Sequence, residues 1–304
     1  MTDLSLAIGT SGFHNPVWLA SGTCGSGEEL ESYTDLGRVG AIVTKTVTLT
    51  EREGNLPPRV IETASGMMNS IGLENKGALW FRENKYGWLK EQKAKIVVSF
   101  SVMQKGDASR CAEILSDGDF PDAVEMNLSC PNVAHGEKSG RLLAQDAKAV
   151  AKTVKEARKA TRRPIIVKLS PNVTDIGEIA VAAETAGADA IAAVNTYQGI
   201  VVDAERQRPY FNRVVGGLSG PAIKPLALKA VRDVYKAVKI PVVGIGGIMN
   251  GTDVAEFMLA GASAVQVGTA SLRDPSAHGR ILDEFLEYLG RHGVKRSRDL
   301  VGKI

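Results

Sequence analysis

The sequence predicts one α/β domain, residues 1–304, folded as a (β/α)₈ barrel of the TIM type. Short apolar, β-branched runs alternate with longer stretches of helical periodicity, which is the grammar of βαβ units around a parallel sheet. The units count to eight, the number that closes a barrel. A near-repeat supports the count, since "AGADAI" at 186–191 and "AGASAV" at 260–265 stand at the same place in two units. A doubly wound open sheet is the alternative. A chain of 304 residues could hold two domains, but no Pro/Ser/Gly-rich linker or charge block divides this one.

Taken in order, a short β-hairpin opens the chain, and strands are expected near 15–20, 40–46, 95–101 and 122–128. Helices are expected near 27–36, 74–90, 107–116 and 142–160. "PIIVKLS" at 164–170 reads as the fifth strand, buried on both faces. A helix follows with Thr174 as N-cap, Asp175 and Glu178 in its first turn, Ile176, Ile179 and Ala183 on one face, and Gly187 as its stop. "DAIAAVN" at 189–195 is the sixth strand and "PVVGIGG" at 241–247 the seventh. A helix from about Thr252 turns Val254, Phe257 and Met258 inward, and the eighth strand lies within 260–269. The remaining length is expected in loops inserted at the C-terminal face of the barrel.

Composition removes several classes of function. Lys plus Arg number 37 against 34 Asp plus Glu, too even for the clustered cations that nucleic-acid binding needs. The basic tail "RHGVKRSRD" at 291–299 reads as a solvated terminal face. No apolar run reaches the roughly 18 residues of a membrane span, and "MTDLSLAIGT" lacks the basic segment of a secretory signal. A cytoplasmic protein is expected. The three Cys form no disulfide framework and no CxxC, so no metal site is read.

A barrel of this kind places its chemistry at the C-terminal ends of its strands. Those ends are unusually polar here: "ASGTCGSG" after the first strand, then Lys45, Ser99, Asn127, Lys168, Asn195, Gly246 with Gly247, and Gly268 with Thr269. Lys and Asn are costly to place near a barrel mouth unless a ligand pairs with them. The Gly pairs after the seventh and eighth strands read as a phosphate site, because Gly lets a backbone N–H come close to an anion; tight turns without ligand are the plain alternative. "GIGGIMNG" at 244–251 lacks the GxGxxG register, so NAD binding by this chain is not expected. A strand-end Lys serves either as a Schiff base or as a cation facing developing negative charge, and Lys45 and Lys168 leave both open.

Cys130, in "NLSCPN" at 127–132, stands three residues past a strand end and belongs on a loop over the mouth. A thiol there can be a nucleophile or a general base; the base role is preferred, because a nucleophile needs an orienting His and only His135 is near in sequence, with nothing to place it. Cys111 reads as helix packing, and Cys24 either as packing or as a cofactor contact.

In order along the chain, "GAIVTKT", "EREGNLPPR", "MMNSIGLEN", "NLSCPN", "VKLSPNVTD", "VNTYQG", "GGLSGPAIKP", "GIGGI" and "AVQVGT" resemble the dihydroorotate dehydrogenases, over roughly residues 5–290. The likeness is to class 1B catalytic subunits; class 2 members use Ser at the position of Cys130 and carry a membrane-binding extension with no counterpart here. Ser99 departs from the Asn common in class 1B and is closer to class 1A.

The resemblance implies noncovalent FMN at the barrel mouth and oxidation of dihydroorotate to orotate. Cys130 would act as base, with Lys45 and Lys168 in the catalytic group. Asn69, Asn127, Asn132, Asn195 and Lys45 would complement the pyrimidine carboxylate, joined by Thr196 and the backbone at Gly72 and Leu73. Ser21, Lys45, Thr46, Ser99, Asn127, Lys168 and Val194 would meet the flavin. Gly220 also matches a flavin-contact position, while Gly246, Gly247, Gly268 and Thr269 would hold its phosphate. Class 1B likeness further implies a homodimer joined to partner subunits that carry FAD and a [2Fe-2S] cluster and reduce NAD, with direct reoxidation by fumarate as the class 1A alternative. This chain has too few Cys to hold such a cluster itself. From the residues alone, a flavin-free Schiff-base aldolase or isomerase and a noncatalytic binding subunit are the competing readings.

Overall fold

A computed structural model describes residues 2–128 and 143–304; Cys130, Asn132 and His135 fall outside them. Eight parallel strands close into a barrel. They are β1 (Val17–Leu19), β2 (Ala41–Val43), β3 (Lys95–Ser101), β4 (Ala123–Asn127), β5 (Ile165–Lys168), β6 (Ala190–Ala193), β7 (Val242–Ile245) and β8 (Ala264–Val267). Each strand pairs with its neighbour in sequence, and β8 pairs with β1 through Val265 opposite Val17, which leaves no open edge. The doubly wound alternative is thereby excluded.

Helices α1 (Ala78–Lys90), α2 (Asp107–Ile114), α3 (Ala147–Ala160), α4 (Ile176–Thr185), α5 (Lys224–Ala237), α6 (Gly251–Ala260), α7 (Thr269–Arg273) and α8 (Ala277–Arg291) belong to the helical layer. Most of the apolar core lies between sheet and helices. A second cluster fills the barrel itself, with Trp18, Val43, Val97, Ile166 and Val243 pointing inward. The predicted hairpin, Leu6–Ile8 against Ser11–Phe13, plugs the lower end. Its Ile8 and Phe13 join the inner cluster, and the Phe13 and Trp18 rings lie 4.5 Å apart.

Several expected boundaries move, each for a local reason. The helix expected near 27–36 is replaced by two three-residue 3₁₀ turns, Glu28–Leu30 and Leu36–Arg38. Gly25 and Gly27 both have positive φ there, and the Asp35 side chain draws off the Gly37 N–H to start a new turn. The N-cap of α4 is Asp175 rather than Thr174, accepting from Gly177 and Glu178 N–H at 2.8 and 3.2 Å. Helix α6 starts at Gly251, one residue early, because Asn250 and Asp253 form a capping box. Helix α3 starts at Ala147, where Asp146 caps it.

The expected insertions at the C-terminal face take a definite form. Val60–Thr63 and Gly66–Asn69, after β2, join Tyr197–Ile200 and Val215–Ser219, after β6, in a four-stranded antiparallel sheet. This sheet stands over the barrel mouth and carries Asn69 and Thr196 toward it.

Candidate functional site

A cavity of about 820 Å³ lies between the barrel mouth and this sheet. The period-two alternation of barrel strands explains what reaches it. Ala41 and Val43 point into the barrel, so Lys45 continues the same face; Ala190 and Ala192 do so before Val194, and Ala123 does so two steps before Asn127.

Lys45, Thr46, Asn127, Lys168, Val194 and Asn195 all line the cavity, with Ser21 from the loop after β1. The overlying sheet and its loops add Asn69, Gly72, Leu73 and Thr196. Gly220, Gly246, Gly247, Gly268 and Thr269 line it as well. Ser99 does not line the cavity; it is fully buried behind Thr46, whose hydroxyl it meets at 2.9 Å. Thr46 in turn lies 3.0 Å from the Ser21 hydroxyl and accepts from Asn127 Nδ2 at 3.3 Å.

Two regions of the wall require glycine. At Gly247, with φ of 74°, a Cβ would come within 2.8 Å of the Gly220 carbonyl oxygen and 3.1 Å of the Lys224 nitrogen. The N–H groups of Gly246, Gly247 and Gly268 enter no turn or loop hydrogen bond among the described residues. Three such donors beside a tight backbone cradle fit a phosphate group. At the opposite wall Gly72 has φ of 79° and Leu73, a residue with a side chain, φ of 58°. An L residue held there costs on the order of 1–2 kcal/mol and turns up at ligand sites more often than elsewhere.

The two Lys differ in environment. Burial pushes the Lys45 ammonium below its ordinary pKa, with Glu74 opposing the shift and Arg59 adding to it. Lys168 is 4% exposed, and its ammonium stands 3.8 Å from the Glu125 carboxylate. The sequence reading missed Glu125. Its signal is a carboxylate in the strand run "AVEMN", on the inward face shared with Ala123 and Asn127. Other missed wall residues are Asn55, Asn172, Gln198 and Arg213, all on the inserted loops and strands or past β5.

Cys24 resolves to packing: it is buried, its sulfur lies 3.5 Å from the Ala20 and Val43 carbonyls, and burial pushes its thiol up to about 12. Cys111, on α2, is likewise buried and pushed up to about 12. Neither supplies a thiolate near neutral pH. Among the described residues no helix is long and apolar enough to cross a membrane.

Known proteins resemble this chain in sequence over its whole length. The dihydroorotate dehydrogenase family model matches residues 4–289. A protein of Bacteroides thetaiotaomicron named as the catalytic subunit of dihydroorotate dehydrogenase B (NAD(+)) is 48% identical over 304 residues, 100% of this chain and 99% of the relative. Proteins of the same name from Geobacter sulfurreducens and Porphyromonas gingivalis are 48% and 46% identical over 302 and 290 residues, covering 99% and 95% of this chain and 98% and 94% of those relatives. Full-length similarity of this degree, on a barrel whose mouth gathers the motif residues, establishes that the chain belongs to the dihydroorotate dehydrogenase family, in its class 1B branch.

Proposed function

We propose that the chain is a catalytic subunit that oxidises (S)-dihydroorotate to orotate with FMN, in the cytoplasm, as a step of de novo pyrimidine synthesis. The observation that carries this reading is the convergence in one cavity of a glycine cradle suited to phosphate, a buried Lys168, and an amide cluster built on Asn127 and Asn195. Membership of the family supports it.

Gly220, Gly246, Gly247, Gly268 and Thr269 would hold the FMN phosphate, and Ser21, Thr46 and Val194 would flank its ring, with Ser99 bracing Thr46 from behind. When bound, FMN supplies a hydride acceptor for C6 of the substrate. Lys168 presents a fixed cation from within the barrel, where poor solvation makes it worth more than in water, and is assigned to the N1/O2 edge of the flavin. Asn69, Asn127, Asn195 and Thr196 offer the mixed donors and acceptors that a pyrimidine ring requires, and Lys45 faces its anionic side; Asn132 lies outside the described residues and joins them on the NLSCPN motif alone. The backbone N–H groups of Gly72 and Leu73 add donors. Cys130 takes the proton from C5, its thiolate becoming the thiol. Its position lies outside the described residues, so this role rests on the NLSCPN motif.

Electrons would leave through a partner subunit carrying FAD and a [2Fe-2S] cluster and end on NAD, with this chain as a homodimer at the centre of a heterotetramer. The names of the relatives, catalytic subunits of an NAD(+) enzyme, support that route. The test is anaerobic. Purified protein is expected to be yellow and to bleach with dihydroorotate, while Cys130→Ala keeps the colour and loses most turnover. NAD is expected to restore the colour only with the iron–sulfur partner present. Colourless protein trapped by borohydride with substrate would replace this reading by Schiff-base chemistry, and reoxidation by fumarate alone would refute the NAD route.

A further inference from the structure

At and below the cavity floor the barrel holds a polar layer in which Glu125 and Gln266 have no role assigned above. The alternation that turns Val97, Ala123, Ile166 and Ala264 inward places Ser99, Glu125, Lys168 and Gln266 one step higher on the same face. Glu125 is 0% exposed. Ser99 Oγ donates to its Oε1 at 3.1 Å, Gln266 Nε2 donates to its Oε2 at 2.7 Å, and Lys168 Nζ stands 3.8 Å from Oε1. All three neighbours are donors or cations, as an acceptor-only carboxylate needs.

This layer is an unusual use of a barrel interior, which branched apolar residues normally fill. An apolar replacement of a buried ion pair is often neutral or stabilising, so the pair is poorly explained by stability alone. Gln266 bears a further cost, since its Oε1 has no hydrogen-bond partner among the described residues. The layer also connects to the cavity wall through hydroxyls, from Ser99 to Thr46 at 2.9 Å and from Thr46 to Ser21 at 3.0 Å.

We propose that Glu125 is a positioning residue for redox tuning: it anchors the Lys168 ammonium and offsets its charge, so that a neutral pair rather than a bare cation sets the reduction potential of the bound flavin. This assignment rests on the FMN reading above. A flavin gains negative charge on reduction, so any increase in net positive charge beside it favours the reduced form. Glu125 limits that preference while keeping the cation in place.

The experiment measures midpoint potential and FMN dissociation constant in the FMN-loaded protein. Glu125→Gln preserves shape and can still bond both Ser99 and Gln266, but leaves Lys168 unopposed. Reduced FMN should then be favoured over oxidised FMN by about tenfold or more, a rise of roughly 30 mV for a two-electron couple. Glu125→Asp, which keeps the charge, should return the potential most of the way to wild type. A second pair of variants guards against misfolding of the single one: Lys168→Met should lower the potential, and adding Glu125→Gln to it should bring the potential back up. An unchanged or lowered potential in Glu125→Gln, or no recovery in the double variant, overturns the assignment while the flavin reading stands. A wild-type chain that takes up no FMN overturns both.

Discussion

Asn195, two residues past β6, donates from Nδ2 to Asn127 Oδ1 at the end of β4, 3.2 Å away. These strands are not neighbours in the barrel, since β5 stands between them. The link continues, because Asn127 Nδ2 reaches Thr46 beyond β2 and Asn195 Oδ1 receives its own chain's Thr196 N–H at 2.8 Å. One line of amides thus spans the mouth and fixes which groups face the cavity.

Asn195→Ala removes one ligand-facing amide and takes a donor from buried Asn127. The expected loss is about ten- to hundredfold in kcat/KM for dihydroorotate, as for a hydrogen bond worth about 1.5–3 kcal/mol. Stability should fall by about 1–3 kcal/mol from the partner left short of a bond. Steady-state kinetics and urea unfolding check both. Wild-type kcat/KM in this variant would show that the amide line does not serve the substrate.

Much of this is legible in the sequence, and the reasons are local. Lys168 and Asn127 end apolar strand runs, so counting units placed them at the mouth, and their strands carry them there. Asn69 and Thr196 came only from motif likeness, since the four-stranded sheet that delivers them pairs segments about 150 residues apart, such as Leu218 with Met68. No local periodicity encodes that pairing. Glu125 lies inside the barrel, two residues before Asn127 ends β4, so strand ends alone do not reveal it. Ser99, a flavin contact by the resemblance, stands behind Thr46, which lines the cavity in front of it.

Gly247→Ala tests the cradle. Its φ of 74° strains any L residue, and the new Cβ would sit 2.8 Å from the Gly220 carbonyl oxygen. The backbone should shift at a cost of about 1–3 kcal/mol, and FMN affinity should fall at least tenfold. Fluorescence titration of stripped protein with FMN, alongside riboflavin, checks this. An equal loss for both ligands would point to general distortion rather than to the phosphate site.

Lys45 illustrates stability given up at a site. Burial lowers its pKa, so folding carries a cost for its charge that is fully present below the folded-state pKa. As pH rises through that value toward the unfolded-state pKa, the folded protein gives up the proton first and the cost is relieved. Lys45→Met should therefore stabilise the protein by about 0.5–2 kcal/mol near neutrality while impairing turnover. The gain should shrink at alkaline pH. Unfolding curves at pH 7 and pH 10 with equal gains would contradict this account.

His278 gives the complementary case at acid pH, away from the cavity. It sits on α8 at 2% exposure, with Nε2 3.0 Å from the Thr34 hydroxyl. Burial pushes its imidazole down to about 4; Asp274 opposes the shift and Arg38 adds to it. As pH falls below the ordinary value of 6.5, the unfolded chain takes up the proton while the folded one does not. The stability that neutral His278 contributes is thus complete above that value and drains away as pH falls through the folded value. Between pH 7.5 and 4.5 this single group should account for about 2–3 kcal/mol of lost stability. His278→Gln can keep a donor toward Thr34 but cannot titrate, so its unfolding free energy should fall by that much less over the same interval. Carboxylates elsewhere contribute equally to both proteins and cancel in the comparison. Parallel pH profiles for wild type and variant would mean that His278 accepts its proton without unfolding the contact between α8 and the turn at Thr34.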